Sequence, residues 1–244
     1  MAERSLLEML DSPGLAGKTF LDVGSGSGLF SLAARRLGAR VRSFDFDPGS
    51  VACTTELRRR HFPDDAGWTV EQGSVLEAGF LGRLGRHDIV YSWGVLHHTG
   101  KMWEALRNVA ALVTPGGSLY IAIYNDQGRA SRRWLKVKRL YNRLPGSLRW
   151  LVVLPALVRL WGPTFARDAV NLAPLRSWRA YAQASMRGMS PWRDVIDWVG
   201  GLPFEVARPE EIFDFYRDMG FQLTRMSTCA GGHGCNEYVF RRNS

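Results

Sequence analysis

Leu21-Asp22-Val23-Gly24-Ser25-Gly26-Ser27-Gly28 is where an apolar run, Lys18 to Val23, gives way to three glycines in five residues. The run reads as a buried strand and the glycines as a tight turn, whose bare backbone lets a ligand come close. Leu29 to Leu37 then carries apolar residues at helical spacing and stops at Gly38. A nicotinamide fingerprint, G-x-G-x-x-G, is broken because Leu29 stands at its third glycine. The spacing is instead G-x-G-x-G, with the acid Asp22 two residues ahead of it. Asp45 ends the next apolar run, 21 residues after Gly24. An acid at that distance is suited to grip ribose hydroxyls, since its two oxygens accept both O–H donors. The alternative reading is a tight strand-to-helix turn followed by an exposed aspartate.

Outward from this turn, strand and helix alternate. Arg40 to Phe44 predicts a second strand. Asp47-Pro48 supplies a cap and a first-turn proline for a helix to about Arg60. Trp68 to Val70 predicts a weak third strand and His87 to Ser92 a fourth. Lys101 to Val113 places Trp103, Leu106, Val109, Ala110 and Val113 on one helical face. Thr114-Pro115-Gly116-Gly117 ends that helix, and Ser118 to Tyr124 is a fifth strand. Such alternation means βαβ units and a parallel sheet with right-handed crossovers. From Asn125 to Ala207 the pattern yields no strand, although six of the nine tryptophans lie there. Arg208 to Gly220 predicts a helix, Phe221 to Ser227 a sixth strand and Asn236 to Arg241 a seventh. The expected organisation is an α/β core over 1–124 and 208–244, with 125–207 inserted as a helical lid over the carboxyl edge of the sheet.

Leu21 to Gly28, Phe44-Asp45-Phe46-Asp47-Pro48, Gln72-Gly73-Ser74, His87 to His98 and Leu112 to Ser118 together resemble the class I S-adenosylmethionine-dependent methyltransferases, in order and spacing, over about residues 16 to 124. The resemblance implies a doubly wound, mostly parallel, seven-stranded Rossmann-like sheet whose last strand is antiparallel. It implies S-adenosyl-L-methionine as methyl donor. Gly24, Ser25, Gly26 and Gly28 are then expected against the cofactor, with Asp22 supporting its methionine end. Asp45 holds the ribose and Phe46 packs on adenine. The family often has an acid near Ser74 for the adenine amino group, so here that contact is expected of Ser74 or the backbone of Val75. Ser92 and Trp93 border the methionine moiety.

His97-His98 follows the fourth strand, near the edge where the methyl group is expected. A histidine there can take a proton from an acceptor hydroxyl or amine; the alternative is a loop contact that orients the next helix. Cys229, His233 and Cys235 form C-x3-H-x-C, three potential zinc ligands with no fourth and at an uncommon spacing, so no metal is expected. If the sixth strand is parallel, the glycine-rich loop around His233 also meets the site, making His233 a substrate-contact candidate.

With 45% hydrophobic and 23% charged residues over 244 positions, the chain has a globular balance and not a disordered one. Three cysteines make no disulfide framework, which points to a reducing, cytoplasmic setting. Met1-Ala2-Glu3-Arg4 begins no secretory signal. The longest apolar run, Trp150 to Val158, falls far short of the roughly 20 residues that span a bilayer. The net charge of +9 is local: ten basic residues and no Asp or Glu lie between Gln127 and Arg167. That segment reads as a solvated cap, as a lid over a bulky apolar or anionic acceptor, or as a membrane or RNA surface. The main functional expectation is a methyltransferase for a small or medium-sized organic acceptor. Its rivals are an RNA methyltransferase, a non-catalytic S-adenosylmethionine-binding protein and a nicotinamide dehydrogenase. Tyr91-Ser92-Trp93-Gly94 is unlike the Asn/Asp-Pro-Pro-Tyr motif of nucleic-acid amino methylases, and Leu29 disfavours the dehydrogenase.

Overall fold

The computed structural model describes residues 2–184, 190–232 and 234–244. In chain order it contains α1 (Ala2–Leu10), β1 (Thr19–Val23), α2 (Leu29–Arg36), β2 (Arg40–Asp45), α3 (Pro48–His61), β3 (Trp68–Gln72), α4 (Ala78–Leu84), β4 (His87–Trp93), α5 (Met102–Ala111) and β5 (Val113–Tyr124). There follow α6 (Arg129–Arg143), α7 (Trp150–Val170), α8 (Arg176–Ala184), α9 (Pro191–Gly200), α10 (Pro209–Asp218), β6 (Phe221–Ser227) and β7 (Cys235–Arg242). They fall into two compact units, Met1–Gln127 with Glu205–Ser244, and Gly128–Phe204.

The first unit is a seven-stranded sheet in the order β3-β2-β1-β4-β5-β7-β6. β7 runs antiparallel to both its neighbours, and the other pairs are parallel. The expected doubly wound sheet with an antiparallel last strand is therefore present. Strand order reverses between β1 and β4, which opens a crevice at their carboxyl ends. Period-two alternation distributes the strand residues to two cores. Leu21, Val23, Phe44, Val90 and Ile121 pack with α4, α5 and α10, while Phe20, Val41, Ile89 and Tyr120 pack with α1 and α2. Two short helices, α1 and α4, were outside the sequence-based expectation. α4 carries three glycine-flanked apolar residues, too few for a clear helical period. β5 also begins at Val113 and not at Ser118, because Thr114 to Gly117 stays in the ladder as an irregularity opposite His87 and Ile89. A Cβ on Gly117 would stand 2.9 Å from the carbonyl oxygen of Asp88, so the strand can pass there only without one.

The second unit contains four α-helices, a short 3₁₀ turn at Gly146–Leu148 and no strand among the described residues. Its tryptophans form a core of its own. Trp161 meets Trp178 and Tyr181 edge-on, at 4.8 and 5.1 Å between centroids, and Trp134 meets Trp198 likewise. Val153, Ala156, Val195 and Val199 fill the space between them. α7 continues through both Pro155 and Pro163. One residue of the basic segment, Lys138, is buried. Its ammonium lies 5.0 Å from the Trp198 ring centre and 4.8 Å from that of Phe204, and donates to the Trp198 carbonyl.

Candidate functional site

The turn between β1 and α2 is held from beneath. Gly24 and Ser25 both donate their amides to the Phe44 carbonyl of β2, and Thr54 of α3 donates its hydroxyl to the Gly26 carbonyl. The glycines play different parts. A Cβ on Gly24 would stand 2.5 Å from Val95, and one on Gly28 would stand 2.9–3.0 Å from Thr54, its Cα included. Those two glycines are required by the protein's own packing. Gly26 has φ 54° and nothing within 4 Å of a built Cβ, so it is the glycine that faces open space.

Asp45 ends β2 beside this opening. Its Oδ2 accepts from the Gly26 amide at 2.9 Å and its Oδ1 from the Asp47 amide at 2.9 Å. A carboxylate offers about four acceptor positions, so each oxygen keeps capacity for a further O–H donor. Phe46, next in sequence, is 76% exposed. Ser74 follows β3, but its hydroxyl accepts from the Leu76 amide in a local turn. Val75 is buried and its carbonyl accepts from Asn108 Nδ2 at 2.9 Å. Ser92 is fully buried and donates to the Val23 carbonyl at 3.0 Å, tying β4 to β1, whereas Trp93 is half-buried at the strand end.

Beneath the turn runs a buried polar chain. The Trp68 indole donates to Ser43 Oγ at 2.9 Å, Ser43 and Ser31 hydroxyls lie 2.6 Å apart, and Ser31 donates to Asp22 Oδ2 at 2.5 Å. Each hydroxyl has one proton, so with Ser31 turned to Asp22 the Ser43 proton goes to Ser31. Burial pushes the Asp22 carboxyl up to about 7, the Ser31 bond opposes this, and the charge of Asp45 adds to it.

The two histidines occupy a 3₁₀ turn after β4. His97 is fully buried; its Nδ1 accepts from the Tyr124 amide at 3.4 Å and its ring lies 3.9 Å from that of Tyr124. Its carbonyl accepts from the Glu205 amide, while the Glu205 carboxylate accepts from Met102 at the start of α5. His98 is half-buried, 5.3 Å from the Tyr124 ring and edge-on to it. β6 runs parallel to β5, so the loop from β6 to β7 reaches the same edge of the sheet. That loop is laced to the end of β5: Asn125 donates its amide to Gly234, Gln127 its side chain to Gly231, and Asn236 its side chain to Asn125 Oδ1 at 3.1 Å. His233 lies outside the described residues. The Cys229 thiol donates to the Gly232 carbonyl at 3.2 Å, and among the described residues no three His, Cys, Asp or Glu side chains gather as metal ligands.

The site therefore has a glycine facing open space beside an acid with spare acceptor capacity, at the switch point of this sheet order. The chain is matched over residues 2–184 by a family model described as a methyltransferase domain. The chain belongs to the methyltransferase-domain family. It is 33% identical over 124 residues to the ubiquinone biosynthesis O-methyltransferase of Escherichia coli O139:H28, and equally to that of Shigella boydii serotype 18. That match takes in 50% of this chain and 48% of the relative, so the chain spans about half the length of the curated relatives it matches. Among solved structures, magnesium protoporphyrin IX methyltransferase from Synechocystis PCC 6803, with bound S-adenosylhomocysteine, has a TM-score of 0.58 at 15% identity, covering 99% of this chain and 82% of that one. An N-methyltransferase from Bradyrhizobium japonicum WM9, in complex with S-adenosylhomocysteine, gives 0.56 at 13%, covering 100% and 86%. These establish the fold of the family. Within it, sequence reasoning passed over Ser31, Ser43, Trp68 and Thr54. The two serines had a signal, as polar residues at buried positions of an apolar helix and strand. Thr54 had none, since α3 has almost no apolar periodicity.

Proposed function

We propose that this methyltransferase-domain chain transfers a methyl group from S-adenosylmethionine to a small or medium-sized organic acceptor. The observation that carries the reading is the open face of Gly26 beside Asp45. S-adenosylmethionine, when bound, supplies a methyl group made electrophilic by its sulfonium. Gly24, Ser25, Gly26 and Gly28 form the turn against which it lies, Asp45 accepts from the ribose hydroxyls and the exposed Phe46 ring covers adenine. Ser74 and Val75 close the adenine end, while Asp22, Ser92 and Trp93 line or support the methionine end. The work left to the chain is to align the acceptor and exclude water. Where the acceptor must lose a proton, the half-buried His98 is the better base, because the Nδ1 of His97 is engaged by the Tyr124 amide. His233 is carried as a second candidate on the acceptor side. Acceptor choice is assigned to the inserted residues 125–207, and cofactor binding to the α/β core of 1–124 and 208–244. The three free cysteines suit a reducing, cytoplasmic setting.

The test is calorimetry with S-adenosylhomocysteine. Asp45→Ala removes charge-assisted hydrogen bonds worth about 1.5–3 kcal/mol each before compensation, so affinity is expected to fall at least about tenfold. Unchanged affinity refutes the ribose assignment, and preference for NADH refutes the cofactor.

A further inference from the structure

From Trp150 to Val158 α7 is apolar on all sides, but only one side is covered. Val153 and Ala156 enter the core of the second unit, and Val152 is buried. On the opposite face Leu151 and Leu154 are each 47% exposed and Val158 is 69% exposed, with Trp150 at 55% where the helix begins. These positions follow i, i+3, i+7 and make one stripe. Leu154, Pro155, Val158, Arg159 and Pro163 line a shallow groove along it. Solvent exposure of such a stripe is unfavourable and marks a surface that something covers.

Charge selects the occupant. Arg149 caps the helix beside Trp150, Arg159 lies in the groove, and α6 presents Arg132, Arg133, Lys136 and Arg139 to solvent. No carboxylate stands between Gln127 and Arg167 to balance them. The next acid, Asp168, is buried and accepts from the amide and hydroxyl of Ser177. A second copy seated two-fold on this face would set Arg159 against Arg159. A polynucleotide would satisfy the arginines but not the leucines. A surface that is anionic above and apolar beneath satisfies both. Among the described residues no helix is long and apolar enough to cross a membrane. We propose that the outer face of α7 docks on an anionic phospholipid surface, with Leu151, Leu154 and Val158 at the acyl boundary and Arg149 and Arg159 at the headgroup phosphates. The proposal stands apart from the methyl-transfer reading, and either can fail alone.

The experiment is co-sedimentation of the full chain with phosphatidylcholine vesicles with and without phosphatidylglycerol. The parent is expected to sediment with the anionic vesicles and to be released by salt. One arginine near such a surface changes partitioning about fivefold, so R149E/R159E is expected to lose at least about 25-fold. L151D/L154D/V158D is expected to abolish binding, while L172D, an exposed leucine off the stripe, binds as the parent does. Unfolding midpoints check that the variants fold. A readout free of that concern is quenching by bromine-labelled acyl chains of the emission difference between the parent and W150F, expected only with anionic vesicles. The proposal is overturned if anionic vesicles fail to bind the parent, or if neutral vesicles bind equally. It is also overturned if the aspartate variant binds unchanged, if Trp150 is unquenched, or if the stripe instead drives dimerisation or RNA capture without vesicle binding.

Discussion

Gly26 and Gly28 both have left-handed backbone, at φ 54° and 77°, yet their alanine variants are expected to fail differently. Gly26→Ala adds a methyl to open space at a strain cost of about 1 kcal/mol, and it intrudes where the cofactor is proposed to lie. Calorimetry should show weakened S-adenosylhomocysteine binding with an unfolding midpoint lower by only about 2–4 °C. Gly28→Ala carries the same strain and also drives a methyl into the Thr54 backbone, so scanning calorimetry should show a midpoint lower by several degrees more. Asp22 offers a pH test. Its carboxyl sits near 7 in the fold against 3.8 ordinarily, so the fold holds a proton that the unfolded chain releases. The associated stability is present below about pH 4 and lost as pH rises to about 7. Asp22→Asn avoids burying the charge and still accepts from Ser31. Its stability advantage over the parent is expected to open across that window, reaching on the order of 2–4 kcal/mol by denaturant titration at pH 8. A constant difference between pH 4 and 8 contradicts this account.

Among the elements, α7 and α6 carry the sharpest expectations. Pro155 is the sixth residue of α7, where it removes the amide that would donate to the Leu151 carbonyl. Pro155→Ala restores that bond, and equilibrium unfolding should show a gain of about 1–3 kcal/mol. Lys138 in α6 is a base held down by burial to about 8, with the charge of Asp197 partly opposing. Between pH 8 and about 10.5 the unfolded chain binds the proton that the folded chain releases, so stability rises with pH across that window. Lys138→Met is expected to flatten the rise, read as the difference between parent and variant midpoints. An equal slope in both would assign the pH dependence to other groups.

For the molecule as a whole, the net charge of +9 resides in one segment, and salt separates its uses. If phosphates of RNA are the partner, affinity falls steeply with salt, because each neutralised phosphate releases counterion. A small acceptor in a desolvated pocket is poorly screened, so methyl transfer to it should be nearly indifferent to salt. The measurement is tritiated methyl transfer to total RNA and to a small-metabolite extract across a salt series. Saturable label in RNA, lost on reversing Arg132, Arg133 and Arg139 to Glu, would overturn the small-acceptor reading.

The sequence by itself determined the succession of seven strands along the chain, the G-x-G-x-G turn, Asp45 and the Asp47 cap, which accepts from the Ser50 amide at 2.7 Å as its spacing required. These are local: periodicity, capping and turn chemistry act within a few residues, where the sequence is explicit. Which glycine faces a ligand was decided only by tertiary structure, since Val95 and Thr54, distant in sequence, claim Gly24 and Gly28. Distance in the chain likewise hid the Trp68-Ser43-Ser31-Asp22 relay, which needs β3, β2, α2 and β1 in register. It also hid the division of α7 into a covered and an uncovered face, because a helix apolar on every side has no period to reveal which side the other helices will take.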